Sequence, residues 1–307
     1  MGRTGAFKGL MVERANIFRR TIAATSVKVA TEPASETVSL LAAVAKDAAG
    51  TTSRLYFRER SVGAGPLPVD ENQIRWMRVV SGACTFEMPH AGGDQVKLPF
   101  LGHDQNVPIL SGDQDIFAGR NVLLGTSNGE PVSVWRDWLK WHSQNHDADA
   151  VLIIDRGPPS EVDAKAVELA SILQSENPDN AGLANMPIGV VSFEDALGHP
   201  ELGHEAHPLY APDAPGKDRM QKPPSDPWHA PLAYRLLYDL VGRLYLQTAA
   251  AVLNVNVHEL TAARQDGRSV FSVAQDAHNG IAVLQGQRAY PWSVRKSSAH
   301  HWTAAGR

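Results

Sequence analysis

The stretch from residue 121 to residue 155 constrains the fold of this chain more than any other. It opens with NVLLGT, which has the composition of a strand, and closes with AVLIID, a short apolar run typical of a strand buried on both faces. Between them, Trp135, Trp138, Leu139 and His142 follow the spacing of one helix face. A strand, an amphipathic helix and a buried strand in this order predict a unit of parallel sheet.

The rest of the second half keeps this alternation. The segments are, in order, a helix (DAKAVELASILQSE), a strand (PIGVVSF), a long helix (LAYRLLYDLVGRLYLQTAA), a strand (AAVLNVNV), a brief helix over Ser269–Gln275 and a strand (GIAVLQGQRAYPW). The alternation predicts an α/β fold in which a mostly parallel sheet is flanked by helices. Residues 198–231 interrupt it with a polar loop rich in Pro, Gly, His and Asp, and loops of this length are usually functional or disordered.

The first half has a different character. Residues 36–48, ETVSLLAAVAKDA, indicate a short helix, whereas SRLYFRER, QIRWMRVV and CTFEMP have the β-rich composition of a small antiparallel sheet. We therefore predict an N-terminal helix plus β-rich region over residues 1–115 and an α/β domain over residues 116–307. The segment SGDQDIFAGR, around residues 111–119, would link the two.

Composition excludes several classes of protein. The 307 residues are 43% hydrophobic and 20% charged, which is ordinary for a globular protein. A net charge of -4 gives no support for a nucleic-acid binder, which would normally carry a basic face. The one cysteine, Cys84, excludes an intramolecular disulfide, and its apolar surroundings favour a buried, inert thiol.

No targeting or membrane signal is evident. No apolar run reaches the roughly 18 residues that span a bilayer, and charged residues interrupt the apolar character of the N-terminus. We therefore expect a cytoplasmic protein. The first 30 residues are basic, with Arg3, Lys8, Arg14, Arg19, Arg20 and Lys28 against the single acid Glu13. One interpretation is a basic arm in peripheral contact with the anionic inner membrane, and the other is a solvated, partly mobile terminus.

Ligand-capable side chains follow three of the predicted strands. They are Thr126, Asn128 and Glu130 after the first, Asp155 at the end of the second, and Asn256, His258 and Glu259 after the later one. Because ligands of open α/β sheets bind at the carboxyl ends of the strands, we expect these side chains to line one site.

Each of these groups also has a structural interpretation. The turn TSNGE offers N–H groups at a helix start to a base or a phosphate, but an ordinary β-α turn looks similar. Asp155 suits a ribose or a base, and it equally suits a cap of the turn begun by Gly157 and Pro158. His199, His204 and His207 lie in the polar loop without the spacing of a metalloprotease helix, and such a cluster is usually solvated.

These motifs, taken in order, resemble those of family-2-like glycosyltransferases of the GT-A fold, especially bacterial members that act on cell-surface polysaccharides. In that family a strand ends in a T-x-x-N-E type turn, the next helix contains E-W-x-x-x-H, and the next strand ends in aspartate. Thr126, Asn128 and Glu130 approximate the turn, Trp138 and His142 match the helix signature, and Asp155 matches the strand end. The resemblance covers roughly residues 119–295.

The resemblance implies a nucleotide-sugar donor, held by Thr126, Asn128, Glu130 and Asp155, and a glycan acceptor. It also implies a divalent cation, Mg²⁺ or Mn²⁺, on the donor diphosphate. The family's later strand carries two aspartates for that metal, at the positions of Asn256 and His258, followed by a glutamate at the position of Glu259. Because amide oxygen is a weaker ligand than carboxylate, the substitutions lower the expected metal affinity.

Two functional hypotheses follow. The first is a glycosyltransferase acting in polysaccharide assembly, for which the sequence indicates no catalytic base. The second is a glycosyltransferase-like fold that serves as a non-catalytic binding or assembly module, since fold does not imply activity. Binding and slow turnover of a nucleotide sugar would separate the first from the second.

Overall fold

The structure is a computed structural model of the chain. It describes residues 11–12, 17–30, 35–45, 52–57, 70–80, 83–90, 92–98, 105–175, 183, 185–210, 216–232, 234–263 and 266–286.

Thirteen strands and four α-helices lie within these residues. The strands are β1 (Met11–Val12), β2 (Ile17–Ile22), β3 (Thr25–Ala30), β4 (Ser35–Ala45), β5 (Thr52–Phe57), β6 (Trp76–Val80), β7 (Ala83–Pro89), β8 (Gln95–Lys97), β9 (Asn106–Leu110), β10 (Asn121–Ser127), β11 (Ala150–Asp155), β12 (Ile188–Phe193) and β13 (Ala251–Asn254). The helices are α1 (Val132–His146), α2 (Pro159–Ser175), α3 (Tyr234–Tyr245) and α4 (Val270–Asp276).

A mostly parallel sheet forms the centre of the fold. Its strand order is β1-β2-β12-β11-β10-β13, and every pair from β2 to β13 is parallel, while the short β1 is antiparallel to β2. The prediction of an α/β fold with a mostly parallel sheet is confirmed. Strands β11 and β12 are buried along their whole length, which explains why their sequences are apolar throughout instead of alternating.

Helices cover both faces of this sheet. Helices α1, α2 and α4 pack on the face that contains Leu123, Val151 and Ile153, and α3 packs on the opposite face, against Leu124 and Ile154. Successive residues of a strand point to opposite faces, so each buried strand contributes to both cores. The expected helix face of Trp135, Trp138, Leu139 and His142 is buried.

Gly125 in the middle of β10 lets α1 approach the sheet. A Cβ at this position would lie 2.6 Å from the ring of Trp138 and 2.9 Å from the carbonyl oxygen of Val255. Both contacts are too close for a side chain, so the indole occupies the space that glycine leaves.

A second, mixed sheet contains β3 to β9. Its strands pair mainly antiparallel, in the order β6-β7-β5-β4-β9-β8 with β3 on β4, and β4 and β9 are parallel. The prediction of a helix over residues 36–48 is wrong, because β4 occupies Ser35–Ala45. Leu40 and Ala42 have helix-forming side chains, but β4 lies between paired strands, and the pairing and burial outweigh local propensity.

The N-terminal region is part of the central sheet. Strand β2 pairs along its whole length with β12, and Arg19 is buried with its guanidinium 2.6 Å from the carboxylate of Asp163 in α2. Arg20 pairs with Asp113 at 2.6 Å. Residues 17–22 are therefore neither a mobile terminus nor a free basic arm. Arg3, Lys8 and Arg14 lie outside the described residues, and membrane contact through them stays a prediction.

The structure differs in detail from the remaining predictions of secondary structure. Strand β13 ends at Asn254, before the residues expected at its tip, and α3 is shorter than the predicted long helix. Residues 280–286 form no strand, and the rest of that predicted strand lies outside the described residues. The loop over 198–231 is irregular where it is described, with short 3₁₀ turns at Pro208–Tyr210 and Lys217–Arg219. Among the described residues, no helix has the length and apolar character needed to cross a membrane.

Candidate functional site

The two last side chains of β10 point to opposite faces of the sheet. Ser127 faces α1, where its hydroxyl accepts a hydrogen bond from the indole nitrogen of Trp135 at 3.1 Å. Thr126 faces α3, with its hydroxyl oxygen 2.8 Å from that of Tyr238. The phenol of Tyr238 donates to Oδ1 of Asn256 at 3.3 Å, so the Thr126 hydroxyl donates to the phenol. Through Tyr238, helix α3 thus connects Thr126 at the end of β10 with Asn256 after β13.

Asp155 lies on the face away from Tyr238. It pairs in register with Ser127 and is fully buried. One carboxylate oxygen accepts the N–H of Gly157 at 2.8 Å, and the other lies 2.9 Å from the ammonium of Lys165 in α2. The sequence allowed Asp155 either to bind a ribose or a base or to cap the following turn, and these contacts are those of a turn cap. Asp155 lies on the face of the sheet that α2 covers, away from the side chains of Thr126 and Asn256, so it forms no part of the donor site proposed below.

The turn after β10 is closed by Glu130. Gly129 has a φ of +95°, a conformation that favours glycine. The carboxylate of Glu130 accepts hydrogen bonds from the backbone N–H of Asn128 and, at 3.3 Å, from the hydroxyl of Ser127. Burial raises the pKa of Glu130, but the hydrogen bonds from His258 and from the Asn128 N–H outweigh it and lower that pKa to about 2. Glu130 is therefore an anion at neutral pH.

The turn after β13 continues along β10. The backbone N–H of Val257 donates to the carbonyl of Thr126 at 3.4 Å, which holds the turn at the carboxyl edge of the sheet. His258 reaches Glu130, with Nδ1 3.4 Å from Oε1. Its hydrogen bond to Glu130 raises the pKa of His258, burial opposes this, and the charges of Glu130 and Glu259 add to the rise. The residues after β10 and β13 therefore lie side by side.

The three predicted metal ligands face different partners. Asn256 accepts from Tyr238, His258 faces Glu130, and the carboxylate of Glu259 accepts the backbone N–H of Asn256 at 2.8 Å. The described residues contain no group of three or more His, Cys, Asp or Glu side chains arranged to hold a metal ion. These side chains therefore do not converge as the ligands of a divalent cation.

The polar loop, whose histidine cluster was expected to be solvated, contributes side chains to this edge. Glu205 accepts a hydrogen bond from the side-chain amide of Asn128 at 2.7 Å and forms an ion pair, also at 2.7 Å, with the buried Arg156. Nε2 of His204 lies 3.3 Å from the carbonyl oxygen of Asn128. The loop therefore closes over the turn after β10. Arg156 directly follows β11, and its place at a strand end was the signal that could have identified it.

Helix α1 holds the other side of the site. Three of its side chains converge on Thr261: Trp141 and His146 donate to its carbonyl oxygen at 2.7 and 3.0 Å, and Nε2 of His142 accepts its backbone N–H at 3.3 Å. Nδ1 of His142 donates to the carbonyl of Trp138 at 2.8 Å. Thr261 lies two residues after Glu259, so the helix fixes the segment that carries Asn256, His258 and Glu259.

Comparison with known proteins finds no matching family model, no matching curated protein and no matching solved structure.

Proposed function

We propose that the carboxyl edge of the parallel sheet binds a nucleotide sugar and that the protein is a glycosyltransferase acting on a glycan acceptor. The observation that supports this is the convergence of the turns after β10 and β13, which are more than a hundred residues apart in the chain. Thr126 and Asn256 share the phenol of Tyr238, and Glu130 faces His258. Such an edge is where open α/β sheets bind nucleotides.

The proposed donor site divides into two parts. Thr126 and Asn128 lie at the end of β10, where hydroxyl and amide groups suit the hydrogen-bonding edges of a nucleoside. Asn256, His258 and Glu259 lie beside them in the turn after β13, where the resemblance expects the diphosphate. His258 is the basic side chain in this second part, and its imidazole side chain is 60% exposed. A ligand can therefore reach it without opening the core.

Donor binding tests the proposal directly. The full chain is mixed with UDP-glucose, GDP-mannose or CMP-sialic acid, with and without Mn²⁺, and its melting temperature is followed. One donor is expected to raise that temperature, because a ligand that binds only the folded state stabilises it. Calorimetry then gives the dissociation constant for that donor.

A variant locates the bound donor. Thr126→Val removes one hydroxyl with little change of shape, and we expect donor binding to weaken about tenfold through the lost hydrogen bond. Thr21→Val is the matched control, because Thr21 also lies near the end of a strand of this sheet, with its hydroxyl 3.0 Å from that of Ser192. If the wild type and the Thr126→Val variant bind the donor with equal affinity, the donor does not contact the Thr126 hydroxyl and the proposed location of the site is wrong.

A second candidate function is a binding or assembly module without transfer activity. It is favoured by the contacts already present at the edge, where Asn128 is bound by Glu205 and Thr126 by Tyr238. A ligand would compete with these contacts. No melting shift with any of the three donors favours this module, and a shift with release of free sugar favours the transferase.

A further inference from the structure

The loop over the sheet edge contains a carboxylate–imidazole pair. Nδ1 of His229 lies 3.0 and 3.2 Å from the two carboxylate oxygens of Asp226, and the backbone N–H of His229 also points to that carboxylate, at 3.3 Å. The carboxylate accepts, so Nδ1 carries the proton. In this tautomer Nε2 is the nitrogen that can present a lone pair, which a general base requires.

A second histidine next to this pair has the opposite arrangement. The rings of His204 and His229 stack with their centroids 5.0 Å apart. Nδ1 of His204 accepts the backbone N–H of Ala206 at 3.0 Å, so its Nε2 carries the proton and donates to the carbonyl of Asn128. His204 is therefore engaged in holding the loop on the turn after β10, while Nε2 of His229 has no hydrogen-bond partner among the described residues.

Nε2 of His229 faces the turn that we assign to the donor. A methyl group placed on Gly129 would lie 3.5 Å from this nitrogen and 4.0 Å from Nε2 of His204. Both distances are ordinary van der Waals contacts, so the two rings pack next to Gly129. Gly129 lies between Asn128 and Glu130, so the nitrogen lies at the same edge as the proposed donor site.

We propose that His229, oriented by Asp226, is the general base that deprotonates the acceptor hydroxyl. This inference rests on the proposed function. The acceptor oxygen forms a bond to the anomeric carbon of the donor sugar, and the bond from that carbon to the phosphate oxygen of the nucleotide breaks. The electron pair of the broken bond leaves with the nucleotide, which is a diphosphate for UDP- and GDP-sugars and a monophosphate for CMP-sialic acid, and the acceptor proton moves to Nε2 of His229. Asp226 is a positioning residue, because it holds the ring in the tautomer that leaves Nε2 free.

Donor hydrolysis tests this step without a known acceptor, since water can take the place of the acceptor hydroxyl. Release of free sugar is measured with UDP-glucose, GDP-mannose and CMP-sialic acid. His229→Asn keeps an N–H that can donate to Asp226 and removes Nε2, and we expect a fall in kcat of about 100-fold or more with the donor KM unchanged. His199→Gln is the matched control, because this histidine lies in the same loop and its Nδ1 accepts the backbone N–H of Glu201 at 3.2 Å.

Two further measurements separate chemistry from folding. In a His229→Ala variant, added imidazole is expected to restore sugar release about tenfold or more, since it can act as the missing base. Asp226→Asn is expected to lower kcat while leaving the donor KM unchanged. Imidazole would not restore activity that His229→Ala had lost through misfolding, and a misplaced donor site in Asp226→Asn would change the KM as well as kcat.

The outcomes distinguish failure of the role proposed for His229 from failure of the proposed transferase function. Sugar release at the wild-type rate by His229→Asn, or no gain from imidazole in His229→Ala, would overturn the role of His229 while leaving the transferase proposal intact. A wild-type chain that binds none of the donors would overturn both. Donor binding without sugar release would overturn the role of His229 as a general base and favour the binding module.

Discussion

At the scale of single residues, Asp155 illustrates how one carboxylate can match a functional motif and still serve the fold. Its position at the end of a buried strand fits a ribose ligand, yet both of its oxygens are bound by the chain itself. The Lys165 ammonium also lies 5.4 Å from the centre of the Trp135 ring. Lys165 therefore balances the buried charge and completes the packing between α1 and α2.

Removing that ammonium tests this role. Lys165→Met leaves a buried carboxylate without its cation, and we expect the free energy of unfolding to fall by about 3 kcal/mol. Urea denaturation measures it, with Lys140→Met on α1 as the control, for which a change within about 0.5 kcal/mol is expected. Equal stability of the wild type and the Lys165→Met variant would show that Asp155 is free to bind another group.

His142 is a second residue whose burial has a measurable consequence. Burial lowers the pKa of His142 to about 4, against a partial rise from its hydrogen bond to the Trp138 carbonyl, and nearby His146 lowers it further. The neutral ring is required, because Nδ1 donates and Nε2 accepts. The folded protein therefore resists protonation of this ring more than the unfolded chain does.

This pKa predicts acid sensitivity. Between pH 6.5 and about 4 the unfolded chain binds a proton at this histidine that the folded protein does not, so stability is full above pH 6.5 and decreases as the pH falls. The loss is at most about 1.4 kcal/mol per pH unit. A His142→Gln variant should show a shallower decrease between pH 7 and pH 5 in urea denaturation. Parallel curves for the two proteins would contradict the assignment.

At the scale of elements, the turns after β10 and β13 form the candidate site, and helices α1 and α3 determine their positions. Helix α3 presents Tyr238 to both turns, and α1 holds Thr261. The sequence motif W-x-x-x-H thus has a structural explanation here, since Trp138 packs on Gly125 and His142 binds the segment after the second turn.

The second turn can be tested by restoring acidic residues. Asn256→Asp together with His258→Asp places two carboxylates near Glu130 and Glu259, and we expect Mn²⁺ to bind at least about tenfold more tightly, because affinity rises with ligand charge. Calorimetry measures it. His278→Asp with Asn279→Asp is the matched control, since these two residues are exposed and adjacent. Unchanged Mn²⁺ binding in the first variant would show that the turn does not face Glu130.

At the scale of the whole molecule, the N-terminal region and the α/β region share a sheet and a helix. Strand β2 completes the parallel sheet beside β12. From the second sheet, Arg54 and Tyr56 both bind the carboxylate of Asp239 in α3, at 2.5 and 2.6 Å. Extensive contacts therefore connect the two sides of the predicted domain boundary at residue 115.

A fragment tests whether residues 116–307 fold alone. Without β2, the fully buried strand β12 becomes an unpaired apolar edge, which favours aggregation. We expect the fragment to lack cooperative thermal unfolding by circular dichroism, whereas a chain that begins at residue 11 keeps it. Cooperative melting of the fragment at the temperature of the full chain would support an independent domain.

The sequence by itself determined the α/β alternation and the polar residues that end β10 and follow β13, because strand and helix periods are local patterns and strand ends follow from them. Only the tertiary structure decided that residues 35–45 form a strand, that β2 joins the central sheet, and that Tyr238, Glu205 and His229 meet the turn after β10. Those outcomes depend on contacts between segments far apart in the chain. No local pattern encodes such pairing, because its free energy comes from burial and hydrogen bonds that exist only once the sheets have assembled.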